Sequence, residues 1–237
     1  MTAGGSIEVS WLGRVGFEEG LRVQEELVGA SSDEPERVLL LEHDPVFTTG
    51  RGGHADNRPD PSGPFGQVPV HRIGRGGDAT FHGPGQLVGY VLVDLQARGG
   101  DLHRFLRSLE QGVIEVVAAF GVSGVRVPGR TGVWVGSADG PHAPTEKPGA
   151  LRKIAAIGVG VRRGRTMHGF ALNVSVDLDA FAAILPCGIE GVVTTSLAAE
   201  GLMPVPTVRE VARVAERIVP GAIDFLFPRV GRGAEAR

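Results

Sequence analysis

Apolar and polar side chains alternate from Ile7 to Leu12, the two-residue period of a half-buried strand. Gly16 to Ala30 changes to the spacing of a helix, and Arg37 to His43 is a short, nearly continuous apolar run halted by Asp44-Pro45, which predicts a buried strand followed by a turn. Glycine, proline and polar residues dominate Thr49 to Gln67, so a long surface loop is expected there. A further strand is predicted over Leu87 to Leu95. Asp101 then caps a helix whose apolar residues Leu102, Phe105, Leu106, Leu109, Val113, Val116, Val117 and Phe120 share one face. Thr131 to Val135 predicts another strand.

Lys153 to Val161 places Ile157, Val159 and Val161 on one face and Gly158 and Gly160 on the other, while His168 to Val176 alternates large with small residues. Together they predict a hairpin whose small-residue faces leave room for a ligand. A short helix over Asp179 to Leu185, stopped by Pro186, and a last helix over Thr207 to Val219 complete the pattern. Thr207 and Glu210 stand at the spacing of a capping box. Residues 1–230 are expected to form one domain and 231–237 a frayed tail. Interspersed strands and helices with a terminal hairpin predict an α+β (mixed α/β) fold, a mixed central sheet flanked by helices.

Composition narrows the chemistry. The chain has 237 residues, 42% of them hydrophobic and 22% charged, an ordinary globular balance. A net charge of -3 provides no global field towards nucleic acid or an anionic membrane. Three Arg-Gly-Gly triplets, at Arg51, Arg75 and Arg98, resemble RNA-binding segments only superficially, because they are dispersed in an acidic chain of 5% aromatic content. The start of the chain lacks the charged and apolar pattern of a secretion signal, and no run reaches membrane-spanning length, so a cytoplasmic protein is expected. A single cysteine, Cys187, excludes an internal disulfide, and seven histidines without ligand spacing argue against zinc. No metal and no cofactor are expected.

Three features carry candidate chemistry. The stretch Arg72 to Gln86 is rich in glycine, with Arg75, Thr80 and His82 as donors, and reads either as a connector or as a loop that lets backbone approach a ligand. Cys187, between Pro186 and Gly188, reads either as a small buried hydrophobe or as a thiol presented by a turn; as a nucleophile it needs a base or cation nearby. Lys153 is one of two lysines and starts the glycine-containing strand, on the face of Ala155, Ile157, Val159 and Val161 if that strand is regular. Lys147 lies in the proline-rich stretch Gly136 to Gly149, expected to be an exposed loop without an assignable role.

Arg75-Gly76-Gly77 through Thr80-Phe81-His82-Gly83-Pro84-Gly85-Gln86, then Lys153-Ile154-Ala155-Ala156-Ile157-Gly158, His168-Gly169-Phe170-Ala171-Leu172-Asn173 and Pro186-Cys187-Gly188 stand in the order found in lipoyl(octanoyl) transferases. The chain resembles that family over roughly Val38 to Leu197. The resemblance implies a fold like that of biotin-protein and lipoate-protein ligases and transfer of an octanoyl group from octanoyl-acyl carrier protein to a lysine of a lipoyl domain. The acceptors it implies are the lipoyl domains of 2-oxoacid dehydrogenase complexes and the glycine cleavage H protein. It further implies Cys187 as nucleophile, Lys153 as its acid/base partner and Arg75, Gly76, Gly77, Asp78, Ala79, Thr80, Phe81 and His82 as a substrate-binding loop. Ala156, Ile157 and Gly158, with Gly169, Phe170 and Ala171, would be further walls. Phe81 replaces a tyrosine frequent in the family, and Val91 a proline. The alternative is an ATP-dependent lipoate- or biotin-protein ligase of the same fold, which requires no cysteine nucleophile.

Overall fold

The computed structural model describes residues 6–29, 35–54, 57–136, 151–184 and 192–230. In chain order the strands are β1 (Glu8–Val15), β2 (Arg37–His43), β3 (Val46–Thr49), β4 (Val70–Arg72), β5 (Ala79–His82), β6 (Gln86–Leu92), β7 (Gly124–Val127), β8 (Arg130–Val135), β9 (Arg152–Arg162), β10 (Arg165–Asn173) and β11 (Val193–Thr194). The helices are α1 (Phe17–Gly29), α2 (Leu102–Ala118), α3 (Asp179–Ala182) and α4 (Val208–Leu226). The large sheet runs β1-β2-β6-β10-β9-β8-β7, with β11 joining β9, and β4-β3-β5 form a second, small sheet. In the large sheet β1 pairs parallel with β2, β11 parallel with β9, and the remaining neighbours are antiparallel, so the sheet is mixed. No helix among the described residues is long and apolar enough to cross a membrane.

One face of the large sheet carries the main core. Val38, Leu40, Leu87, Val91, Phe170, Leu172, Val133 and Ala155 meet Phe105, Leu109, Val113 and Val116 of α2 and Val211, Ala215, Val219 and Ile223 of α4. Asp101 caps α2 by accepting from the Arg104 N–H at 3.0 Å, and Thr207 and Glu210 form a reciprocal capping box on α4. The helix α4 extends past the expected end at Val219, through Pro220, to Leu226. A proline inside a helix costs about 3 kcal/mol, which burial of Ile223 together with Phe227, about 1.5 to 3 kcal/mol each, offsets.

The opposite face of the sheet packs on α1 through Leu39, Leu41, Val88, Tyr90, Leu92, Met167 and Ala171. The small sheet caps the same side, with Phe47, Ala79 and Phe81 joined by Phe181 and Ile184 in a separate cluster. The sequence pattern assigns no element to Val46–Thr49 or Val70–Arg72 and reads Ala79–His82 as part of a glycine-rich connector or loop, because strands of three or four residues carry little periodicity. The hairpin is shifted too: β9 and β10 turn at Arg163-Gly164, with φ of 52° and 80°, so β10 begins at Arg165 and ends at Asn173.

A buried arginine ties three distant segments together. Arg98 donates through Nε to both carboxylate oxygens of Glu36 at 3.0 and 3.1 Å, through Nη2 to Asp224 at 2.8 Å, and through Nη1 to the Phe227 carbonyl. This clamp joins the start of β2, the turn after β6 and the end of α4.

Candidate active site

A cleft of about 810 Å³, counting its mouth, opens between the α1 face of the large sheet and the small sheet. Its lining includes Arg75, Gly76, Gly77, Asp78, Ala79, Thr80 and His82 from the glycine-rich stretch, Lys153, Ala156, Ile157 and Gly158 from β9, and Gly169, Phe170 and Ala171 from β10. Phe81 is absent from that lining. Alternation along β5 turns it away, into ring contacts with Phe47, Phe65 and Phe181 at 5.1, 6.4 and 5.8 Å. Cys187, Lys147 and the tail lie outside the described residues, as do Leu185 and Pro186. On either side of 185–191, Phe181 and Thr194 both line the cleft.

Lys153 reaches the cleft through a bulge. On β8 one step separates Val133 from Trp134, whereas their β9 partners, Ala155 and Lys153, are two residues apart. The extra residue breaks the alternation. Ala155 and Val159 therefore face the α2–α4 core while Lys153 lines the cleft with Ala156 and Gly158, contrary to the regular-strand expectation. The Lys153 carbonyl accepts the Thr195 N–H at 2.9 Å, and the side chain is buried.

The small residues of the hairpin make room first for the protein's own loop. A Cβ on Gly158 would stand 3.0 Å from Arg75 Cδ, and one on Gly160 would stand 2.6 Å from the Gly74 carbonyl oxygen. Gly76 N–H donates to the Val159 carbonyl at 2.9 Å, so the loop is hydrogen-bonded to β9. Arg75 is itself fixed, donating to the Thr48 carbonyl at 2.8 Å and to Thr48 Oγ1 at 3.0 Å.

Polar contacts brace both ends of the cleft. At the Lys153 end, His82 Nδ1–H donates to Gln86 Oε1 at 2.8 Å, Gln86 Nε2 donates to Asn173 Oδ1 at 2.9 Å, and Asn173 Nδ2 donates to the Thr195 carbonyl at 2.9 Å. At the other end the Tyr90 hydroxyl donates to His43 Nε2, while His43 Nδ1–H donates to the Val15 carbonyl at 2.7 Å. Burial, helped by the neighbouring His43 and Arg75, pushes His82 down to about 3; burial and Arg75 push His168 down to about 4. Burial also lowers His43 and raises the Tyr90 phenol. All three imidazoles are therefore neutral near pH 7, and none of the described residues lining the cleft is a histidinium.

Sequence reasoning missed Phe17, Ile73, Val88, Phe181 and Thr194 as lining residues. Ile73 stands within the glycine-rich stretch but as an ordinary apolar residue, Phe17 and Phe181 reach the cleft only through the docking of α1 and α3, and Val88 and Thr194 only through the pairing of β6 and β11 into the large sheet. The arginines around the β9–β10 turn are engaged by the fold itself. Arg162 pairs with Glu25 at 2.7 Å, and Arg165 is buried and donates to the Pro35 carbonyl at 3.0 Å.

Residues 17–218 match the lipoyl protein ligase A/B catalytic domain. An octanoyltransferase of Geobacter metallireducens is 48% identical over 219 residues, covering 92% of this chain and 93% of that one. An octanoyltransferase of Mycobacterium leprae is 46% identical over 196 residues, covering 82% and 79%. Among solved structures, protein Ta0514 of Thermoplasma acidophilum, a putative lipoate protein ligase with bound lipoic acid, superposes with a TM-score of 0.64 at 17% identity, covering 94% of this chain and 86% of that one. That likeness concerns the fold. With near-complete coverage by relatives of nearly half-identical sequence, the chain belongs to the lipoyl protein ligase A/B catalytic domain family and, within it, to the octanoyltransferases, which makes it an acyltransferase.

Proposed function

We propose that this acyltransferase takes an octanoyl group from octanoyl-acyl carrier protein onto Cys187 and passes it to a lysine of a lipoyl domain. The observation that carries this reading is the buried Lys153 brought by the β9 bulge into an otherwise largely apolar cleft that Phe181 and Thr194, from the segments on either side of Cys187, also line. The Cys187 thiolate, paired with the Lys153 ammonium, attacks the donor thioester carbonyl; the tetrahedral intermediate collapses, the carrier thiolate leaves with the proton of that ammonium, and octanoyl-Cys187 remains beside a neutral Lys153 amine. The acceptor amine then attacks that thioester, Lys153 receives the amine proton, and collapse to the amide restores the Cys187 thiolate. The lipoyl domains of 2-oxoacid dehydrogenase complexes and the glycine cleavage H protein are the acceptors in this scheme.

Strand register supplies a ruler for the acyl chain. Asn173 pairs with Gln86 at the Lys153 end, Ala171 with Val88 and Ala156 one row further, and Gly169 with Tyr90 and Gly158 in the next. Rows two residues apart are separated by about 6.8 Å, and an extended eight-carbon chain, seven bonds of about 1.5 Å in a zigzag, spans roughly 9 Å. An octanoyl carbonyl beside Lys153 therefore places the tail over Ala171 and the terminal methyl short of the row closed by Tyr90 and the 74–76 loop.

Intact-mass measurement tests the reading. Enzyme mixed with octanoyl-acyl carrier protein should gain one octanoyl group, mapped to Cys187, and lose it when a lipoyl domain is added. Cys187→Ala should fold and transfer nothing. A Cys187→Ala enzyme that transfers octanoate without ATP at the original rate overturns the thioester, and transfer that requires ATP would favour the ligase alternative.

A further inference from the structure

Trp134 is the largest of the fully buried side chains, yet it belongs to none of the three apolar clusters that build the core. Its neighbours on β8, Val133 and Val135, both enter the main core on the α2–α4 side, so alternation sends the indole to the cleft side. There it is registered against Lys153. The Lys153 ammonium lies over the indole at 5.4 Å from the ring centroid, within the range of a cation–π contact. The indole N–H has no hydrogen-bond partner among the described residues, although buried indoles usually find one. Packing a large indole with its donor unsatisfied serves the core poorly. The ring face, however, is used.

The stem of Lys153 passes over Gly132, which stands two residues before Trp134 on β8, on the same face of that strand. Gly132 has a φ of 125°, and a Cβ there would stand 2.7 Å from Lys153 Cε and 2.6 Å from the Ala155 carbonyl oxygen. Its N–H is held at 3.2 Å by Glu110 Oε1, a buried carboxylate on α2 that also accepts from Arg107 at 2.6 Å and Arg126 at 3.2 Å. The bulge turns Lys153 to the cleft, Gly132 leaves space for its methylenes, and the indole face receives its charge.

We propose that Trp134 is a positioning residue for Lys153, a π-face platform that fixes the ammonium in the cleft, with Gly132 and its Glu110 anchor setting the path of the lysine stem. The proposal rests on the acid/base role given to Lys153 above. A four-carbon side chain has many rotamers of its own, and a proton donor or acceptor misplaced by about 1 Å can cost about a hundredfold in rate.

Because the chain has only two lysines, Lys147 and Lys153, lysine labelled with ¹³C at Cε gives two resolvable correlations, assigned with Lys147→Arg. In the unaltered protein the Lys153 Cε protons should appear upfield of those of Lys147, from the indole ring current. Trp134→Leu should abolish that displacement and lower kcat by roughly 10- to 100-fold with KM for the acyl donor unchanged, and Trp134→Phe, which keeps a π face, should recover most of the rate. A Lys153 signal without upfield displacement in the unaltered protein overturns the proposal, whether or not the Leu variant folds. Equal activities of Trp134→Leu and Trp134→Phe also overturn it. Full activity of Lys153→Met with the upfield signal present in the unaltered protein would instead remove the acid/base role and leave the packing as described.

Discussion

Ala171 lies in the middle row of the acyl ruler, buried, paired with Val88 on β6 and Ala156 on β9. Replacing it with Leu adds three carbons where carbons six to eight of an octanoyl chain should rest. Ala171 lines the cleft on the face of the sheet opposite the α2–α4 core, so the added carbons enter the cleft and not that core, and the fold should survive. Excluding three methylenes at about 0.8 kcal/mol each removes about 2.4 kcal/mol of binding, roughly a 60-fold loss. Butanoyl and pentanoyl groups end before Ala171 and should lose little. The assay is the rate at which acyl-enzyme mass appears with donors of four to twelve carbons, and the expected result is a preference moved from eight carbons to five or six. Alkylation of Cys187 by a small haloacetamide, unchanged by the substitution, shows that the thiol is still presented. A chain-length profile that stays the same from six to twelve carbons refutes the row assignment and places the tail elsewhere.

Lys153→Arg keeps a cation but cannot cycle a proton near neutral pH, so transfer should fall by about a hundredfold or more, measured in single turnover from isolated octanoyl-enzyme. A near-normal rate would show that charge alone suffices. Glu36→Ala leaves the buried Arg98 without its main partner and should reduce stability by about 3 to 5 kcal/mol in urea unfolding, a loss that Glu36→Gln only partly restores. A loss below about 1 kcal/mol would match an exposed ion pair rather than a buried clamp. His168, held down to about 4 in the folded protein, binds no proton there while the unfolded chain does so below about 6.5. Its contribution to stability is therefore complete above pH 6.5 and is lost as pH falls towards 4, about 3 kcal/mol in all. His168→Asn, suited to the φ of 63° at that position, should flatten stability over that window; an unchanged slope would show that His168 is solvated.

The sequence alone determined those features whose cause is local. The apolar stripe of α2 and the Asp101 cap, the Thr207–Glu210 capping box and the alternation of β1 each rest on residues within a few positions of one another, so they were legible before any folding was considered. The motifs marked the glycine-rich stretch and the β9–β10 hairpin as walls of one site, and these do meet, except for Phe81, whose direction depends on the strand character of β5. What only the tertiary structure decided depends on partners far away in the chain. Lys153 reaches the cleft because β8 and β9 pair with a bulge, and a register between strands is set by the side chains packed on both faces, not by either strand alone. Pro220 stays inside α4 because distant apolar residues, Phe105 of α2 among them, pack with Ile223 and Phe227 and reward the extra turn, and the space left by Gly158 and Gly160 is occupied by the loop at Gly74 and Arg75, far earlier in the chain. Local pattern fixes which face of an element is apolar; which surface that face meets, and where a bulge re-aims one side chain, is settled only when the whole chain is packed.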